Sequence, residues 1–503
     1  MNVKPRYIAL LMALAVLLGA AGSYIGIEYF AKAEQNDSQA EQLATADEGG
    51  ENFGSLSEEE QKKFIEDMTG NSTTDLEKVE QAYSIIKDNY VEDVEQSELV
   101  EGAIQGMLDT LEDPYSVYMD QETMKQFNQT IESSFQGIGA EVSMVNDKVT
   151  IVAPIKGSPA EEAGLKPNDQ ILKVDGESVE GLDLYDAVLK IRGEKGSEVT
   201  LEVSRPGVSD PLSIDIVRDD IPLETVYSDT KEINGKKAGV IEITSFSEKT
   251  SDEFHEALTK LEDEGMEGLV IDVRGNPGGL FTDVQEILKE FIPDDKPIVQ
   301  VEDRNGEKSR YFSNIQEKKD YPITVLMDEG SASASEILAA TMNEAGGYDL
   351  VGTKSFGKGT VQQAIPMGDG STIKLTLFKW LTPDGNWIHE KGVQPTVKVK
   401  QPDYFYTNPV DVEEPLGYND NSDKVKNIQE MLKGLGYDPG RADGFYSEKT
   451  VKAVESFQSD AGLDVTGEID EKTGGKLEEQ IVEEVRKEEN DKQMQKALDV
   501  LFK

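Results

Sequence analysis

Gly330-Ser331-Ala332-Ser333-Ala334-Ser335-Glu336 stands between an apolar run, Tyr321 to Met327, and a helical pattern through Leu338 and Ala340. The run has the length of a buried strand, and the small residues after it mark a turn into a helix. Ser333, with Glu336 three residues on, reads as a capping box opening that helix. Capping accounts for one serine and one glutamate and leaves the crowd of small residues unexplained. Outward from this point the same alternation continues. Ala238 to Phe246 reads as a strand and Ser251 to Glu264 as a helix. Gly268 to Val273 reads as a strand running into Arg274-Gly275-Asn276-Pro277-Gly278-Gly279. Residues 221–402 are therefore expected to form an α/β core.

Composition narrows the chemistry. The 503 residues suggest three or four domains. With no cysteine, thiol nucleophiles, disulfides and thiolate metal sites are excluded. The two histidines, His255 and His389, make a histidine-rich metal site a poor expectation. His255 falls on the polar Ser251–Glu264 helix and reads as a solvated side chain. The net charge of −49, from 99 acidic and 50 basic residues, would repel nucleic acid, which is not expected as a partner.

Residues 1–6 carry Lys4 and Arg6, and the uncharged apolar run 7–27 follows. About twenty such residues span a bilayer, and the preceding cations keep the N-terminus inside. A single-pass anchor in the cell membrane, with the bulk of the chain outside the cytoplasm, is the expectation. Cleavage near Ala31-Lys32-Ala33 is the rival. Residues 28–74 read as an acidic, disordered linker. Residues 75–130 place Leu76, Val79, Tyr83 and Ile86, then Leu99, Ala103, Ile104, Met107, Leu108 and Leu111, at helical spacing. This helical region is expected to serve packing or homodimer formation.

Short strands and turns follow over residues 131–218. Phe135-Gln136-Gly137-Ile138-Gly139-Ala140-Glu141-Val142, then Ser158-Pro159-Ala160 and Ala163-Gly164-Leu165, resemble a PDZ domain. The resemblance makes Gly137, Ile138, Gly139 and Ala140 the loop whose N–H groups receive a peptide's terminal carboxylate, with the peptide added as a strand. Arg192, at the end of the helix Leu184 to Ile191, reads as helix-terminal charge compensation or as a contact coupling the PDZ module to the core. After a linker at 403–420, residues 421–480 resemble a peptidoglycan-binding domain of three helices. They carry Leu435-Gly436-Tyr437, Asp443-Gly444-Phe445 and Phe457-Gln458. Residues 481–503, rich in Glu and Lys, read as a solvated terminal helix.

The reactive chemistry rests on Phe356-Gly357-Lys358-Gly359-Thr360-Val361-Gln362. A serine hydroxyl needs a base, and lysine can be one if it sheds its proton. That takes a fall of about three pKa units from about 10.4, roughly 4 kcal/mol, which burial among apolar groups can supply. Gly352 to Gly359 is also close to a phosphate-binding loop, but Gly359 stands where a Ser or Thr must hold magnesium. Lys358 follows Ser333 by 25 residues, and Gln362 follows Lys358 by four. With the Arg274–Gly279 loop, this set resembles the carboxyl-terminal processing peptidases, the tail-specific serine proteases of family S41. The resemblance implies a multidomain protein with a crotonase/ClpP-like α/β protease core, a PDZ domain preceding it, and helical regions at both ends. It implies Ser333 as nucleophile, Lys358 as base and Gln362 as orienting residue. The oxyanion donors it implies are Ala334 N–H and a glycine of Gly278-Gly279. Substrates would be proteins with exposed apolar C-termini, and no metal or cofactor is called for. Two other classes fit parts of the chain: a non-catalytic PDZ and peptidoglycan-binding scaffold, and a cell-wall hydrolase. The complete Ser/Lys/Gln set argues against the first, and the two histidines argue against a zinc amidase.

Overall fold

A computed structural model describes residues 76–503, apart from 132, 133, 146, 147, 156, 183, 206, 207, 209, 210, 409, 411 and 413. The expected membrane anchor and acidic linker lie outside the described residues. Among the described residues no helix is long and apolar enough to cross a membrane.

Leu76–Asn89 (α1) and Gln96–Asp109 (α2) form a helical pair. The periodic residues Leu76, Val79 and Ile86 of α1 stay exposed, as do Met107 of α2 and Leu111 beyond it. The pair thus leaves an apolar face without cover in the single chain. After Asp113-Pro114 the chain enters Val117–Met119 (β1), then Gln121–Ile131 (α3), whose start is capped by Asp120 accepting Thr123 N–H at 2.7 Å.

Ser134–Gly137 (β2) leads into the next unit. Its strands are Ala140–Val145 (β3), Lys148–Pro154 (β4), Gln170–Val174 (β5), Glu198–Ser204 (β6) and Leu212–Val217 (β7), with the helix Leu184–Ile191 (α4) between β5 and β6. Asp219–Pro222 (β8) leads out and pairs with β2. The sheet order is β3-β4-β5-β6-β7, so β3 is an edge. Val199, Leu201 and Val203 alternate inward along β6 with Ile151 and Ala187 in the same core.

The core that follows comprises Val226–Ile233 (β9), Lys236–Ile243 (β10), Thr250–Asp263 (α5), Gly268–Asp272 (β11), Phe281–Lys289 (α6), Val299–Glu302 (β12) and Lys308–Tyr311 (β13). It continues through Ile323–Met327 (β14), Ala334–Glu344 (α7), Asp349–Gly352 (β15), Thr360–Pro366 (β16), Thr372–Leu381 (β17) and Val397–Lys398 (β18). The main sheet runs β9-β10-β11-β14-β15-β18, and its pairs are parallel except β9 with β10. Every residue of β11 and β14 is buried, as strands covered on both faces must be. On one face lie α5, α6 and α7, through Phe254, Leu258, Val284, Ile287 and Leu338. A second sheet runs β1-β17-β12-β13, with β16 also on β17. Through β1, the N-terminal region is built into the core.

Asp423–Gly434 (α8), Glu448–Asp460 (α9) and Glu471–Val485 (α10) pack around Ile428, Tyr446, Phe457 and Leu477. Two buried glutamines pin their loops. Gln429 Oε1 accepts Gly444 N–H at 3.0 Å, and Gln458 Oε1 accepts Gly467 N–H at 2.9 Å.

Residues 481–503 depart from the expected solvated helix. Helix α10 runs on to Val485, and Lys492–Leu501 (α11) returns to the α/β core. Ala497, Leu498, Val500 and Leu501 pack against Ala238, Val240, Val270, Leu326 and Val351 on the second face of the main sheet. Asp491 caps α11 by accepting Met494 N–H at 2.8 Å and also binds Arg274. The abundant Glu and Lys conceal an apolar stripe that only the sheet's uncovered face explains.

Candidate active site

The site forms where β11 and β14 end, at the carboxyl edge of the parallel strands. After β11 the chain turns through Asn276, which is fully buried. Asn276 O accepts Ala332 N–H at 3.0 Å and Ser335 Oγ–H at 2.9 Å. Ser331 Oγ–H donates to Val273 O at 2.7 Å. Two of the three neighbouring serines are thus structural. Ser333 differs: it stands at φ 53°, ψ −111°. A non-glycine residue held there costs about 1–3 kcal/mol, and such strain persists only where the surroundings dictate it.

Glu336 dictates it. Its carboxylate is fully buried and serves both halves of the site. Oε2 accepts Ser333 N–H at 2.9 Å and Lys358 N–H at 2.8 Å. Oε1 accepts Gly357 N–H at 2.7 Å and Ser355 Oγ–H at 2.5 Å. Phe356 N–H reaches Ser331 O at 3.0 Å. The two segments singled out in the sequence are therefore joined through one side chain. Burial pushes the Glu336 pKa up, and its four donors pull it down. Capping is the only role legible for Glu336 in the sequence; the Ser333 N–H contact is that role, and the contacts to 355–358 add a second.

Lys358 is completely buried, with its backbone carbonyl accepting Trp380 Nε1–H at 2.8 Å. Its Nζ lies 4.8 Å from the centre of the Tyr115 ring. Burial chiefly, and then the charge of Lys374, push its pKa down to about 7, against the pull of Asp113 and Glu336. Gln362, also buried, donates from Nε2 to Thr360 Oγ1 at 3.0 Å and Thr376 Oγ1 at 2.9 Å. Those contacts fix the amide, and Oε1 is left buried without a hydrogen-bond partner among the described residues. Tyr115 and Lys374 were missed by sequence reasoning. Tyr115 arrives from the turn after α2, with no local sign of its destination. Lys374 did leave a sign, a lysine amid apolar residues in a strand.

Gly278 lies against the Ser333 segment. A Cβ there would come within 2.8 Å of Ser333 Cβ and 3.1 Å of Ala334 N. Gly278 N–H itself donates to Asn276 Oδ1 at 2.8 Å. Gly279 is held at φ 150° against Phe246, where a Cβ would meet Phe246 O at 1.8 Å, so no other residue fits. His389 accepts Gly359 N–H through Nδ1 at 3.3 Å, a scaffolding contact. His255 is exposed and faces Glu290 at 3.4 Å. Among the described residues no cluster of His, Asp and Glu could hold a metal.

The candidate peptide-binding loop spans the end of β2 to the start of β3. Gly139 has φ 75°, and a Cβ there would meet Ser158 Cβ at 2.4 Å. Its carbonyl accepts Ser158 Oγ–H at 2.7 Å, and Ile138 O accepts Ala160 N–H at 2.8 Å. Ala140 begins the edge strand beside α4. The last carbonyls of α4 are satisfied by Arg218, which donates to Ile191 O at 2.8 Å and Lys190 O at 3.2 Å. Arg192 instead stacks its guanidinium 4.8 Å from the centre of the Phe135 ring on β2.

Four family models match the chain. They are peptidase family S41 at residues 237–399, a PDZ domain at 136–216, a peptidoglycan binding domain at 421–477, and the N-terminal domain of the activating protease CtpB at 16–123. The carboxy-terminal processing protease CtpB of Bacillus subtilis is 51% identical over 99% of this chain and 99% of its own length. CtpA of the same organism is 45% identical over 86% of this chain and 91% of its own. Among solved structures, the photosystem II D1 C-terminal processing protease is 27% identical, with a TM-score of 0.41 over 65% of this chain and 87% of its own.

Proposed function

Because the chain belongs to peptidase family S41, as a carboxy-terminal processing serine protease with PDZ and peptidoglycan-binding domains, we propose that Ser333, Lys358 and Gln362 are its catalytic residues. The observation that carries this reading is the buried Glu336 carboxylate binding the backbone of Ser333 and of Lys358 at once. It brings a strained serine and a fully buried lysine into one dry site.

In the proposed cycle neutral Lys358 takes the Ser333 hydroxyl proton as Oγ attacks the scissile carbonyl. The oxyanion is held by Ala334 N–H at the start of α7 and by a glycine N–H of the facing loop. Gly278 N–H already faces Asn276 Oδ1, which favours Gly279. The Lys358 ammonium returns its proton to the leaving amine. Water, deprotonated by Lys358, then releases the acyl group from Ser333. The open Oε1 of Gln362 suits an acceptor that orients a lysine through both protonation states.

Substrate enters by its C-terminus. Gly137, Ile138, Gly139 and Ala140 receive the carboxylate, and the peptide lies along β3 as an added strand. Arg192, stacked on the β2 residue Phe135, touches the strand pair that joins this module to the rest and is suited to couple the two. The apolar run 7–27 supports a membrane anchor that holds the enzyme outside the cytoplasm, and the uncovered face of α1 and α2 supports pairing with a second copy.

Peptides with a free apolar C-terminus are expected to be cleaved at least about tenfold faster, as kcat/KM, than the same peptides amidated, since a nest of N–H groups recognises charge. Equal rates would overturn C-terminal capture. Cell-wall tethering is tested by sedimentation with purified peptidoglycan. A chain in which a flexible linker replaces residues 421–485, leaving α11 to dock, is expected to stay in the supernatant; cosedimentation would refute the assignment.

A further inference from the structure

Lys374 is a buried charged residue that no step above uses. It is 2% exposed, and its Nζ lies 5.4 Å from the centre of the Phe127 ring on α3. The pleat of β17 sets where it points. Lys374 and Thr376 are two residues apart and share a face, and Thr376 Oγ1 is the group that receives Gln362 Nε2. Lys374 therefore projects on the side of β17 that carries the catalytic glutamine. Its cross-strand neighbours, Val117 on β1 and Ala364 on β16, are apolar. Among the described residues no carboxylate forms an ion pair with it within 4.0 Å.

The charged and titratable groups facing the two lysines come from three places. Asp113 and Tyr115 lie in the turn after α2, Glu336 lies on α7, and the Lys374 charge on β17 acts on Lys358. Helix α3 brings the Phe127 ring to Lys374, and β1 places Val117 across from it. Asp113 accepts Tyr115 N–H at 3.1 Å and Ser116 Oγ–H at 2.6 Å. Ser116 Oγ in turn accepts Thr376 N–H at 3.0 Å, which ties this carboxylate to β17. Burial pushes Lys374 down to about 8, opposed by Asp113.

We propose that Lys374 is a positioning residue of the catalytic site, a second buried ammonium that keeps Lys358 in the neutral form able to accept the Ser333 proton. This rests on the reading of Lys358 as base. Two like charges in one dry site cannot both be retained without a large penalty, so the first proton leaves the pair readily. Lys358, the drier of the two and closest to Ser333 in its backbone contacts, gives it up. Lys374 remains charged through neutral pH and holds that balance; Asp113 limits it.

The rate at which a fluorophosphonate labels Ser333, followed against pH in the full chain, tests the proposal. Lys374→Met is expected to move the acid limb up by about one pH unit, costing about tenfold on that limb, with recovery at alkaline pH. Lys374→Arg keeps the charge and is expected to leave the limb in place or lower it. Asp113→Asn should move it down. A Lys374→Met profile with an unmoved limb, or a Lys374→Arg profile that shifts as Met does, overturns the proposal. If Lys374→Met fails to fold, Lys374→Gln, neutral and polar, decides, and an unmoved limb there is equally fatal. Lys358→Ala separates the two ideas: labelling that survives it with the same limb sinks the base reading instead.

Discussion

Lys358→Ala and Ser333→Ala each lower kcat/KM for a tailed peptide by about 10^4-fold or more, and the double variant is hardly worse than either alone. A nucleophile and its base act as a unit, so losing one forfeits the other. Both variants are expected to keep their fold. Lys358 is buried and its pKa stands at about 7, well below that of a free lysine, so alanine removes a group whose charging the interior resists. The wild-type rate should carry the matching pH dependence. The neutral amine is the working form, so activity falls as pH drops through about 7 and Lys358 takes up its proton. Steady-state kinetics with circular dichroism on each variant checks both points. Residual cleavage within tenfold of wild type in Lys358→Ala, with the fold intact, would assign the proton transfer to another group.

Ending the chain at Arg486 is expected to cost the protease its stability although no catalytic residue is touched. The cut removes α11, whose Ala497, Leu498, Val500 and Leu501 are buried against the main sheet. Re-exposing these four side chains and their partners amounts to about 5–8 kcal/mol, comparable to the whole stability of many domains. It also takes Asp491 from Arg274, the residue that enters the glycine loop beside Ser333. The bared strip of Val240, Val270, Leu326 and Val351 should drive association. Thermal unfolding and size-exclusion chromatography of the truncated chain would show a lowered Tm and aggregates. A truncated protein that stays monodisperse and fully active would mean that α11 only decorates the sheet.

How far the sequence could be read depended on whether a residue's job was local. The helix Leu184–Ile191 follows from periodicity and turn residues, and the structure holds it over those same residues. Ser333 and Lys358 were singled out because their spacing with Gln362 resembles a family pattern, and the structure joins their two segments through Glu336. Glu336 was half legible: a capping residue satisfies the local reading completely, so nothing suggests that its far oxygen also receives Ser355 and Gly357. Tyr115 and Asp113 belong to a turn whose partner strand, β17, lies some 260 residues downstream; Thr376 N–H meets Ser116 Oγ across that gap. Arg192 and Arg218 show the same limit. Proximity in sequence suggested Arg192 for the end of α4, but the chain returns through β7 to put Arg218 there. Helix α11 misled for another reason: average composition reports the solvent face, and four buried apolar residues decide the packing.

The docking of α11 also fixes a schedule. A chain is made from its N-terminus, and the strands of the main sheet, Val226 to Lys398, are complete long before residue 501 is joined. Until then one face of that sheet has no cover, and Arg274 beside the glycine loop lacks Asp491. From the joining of Lys358 until that of Asp491, the growing chain therefore holds Ser333 and Lys358 without the brace that finishes the scaffold around them.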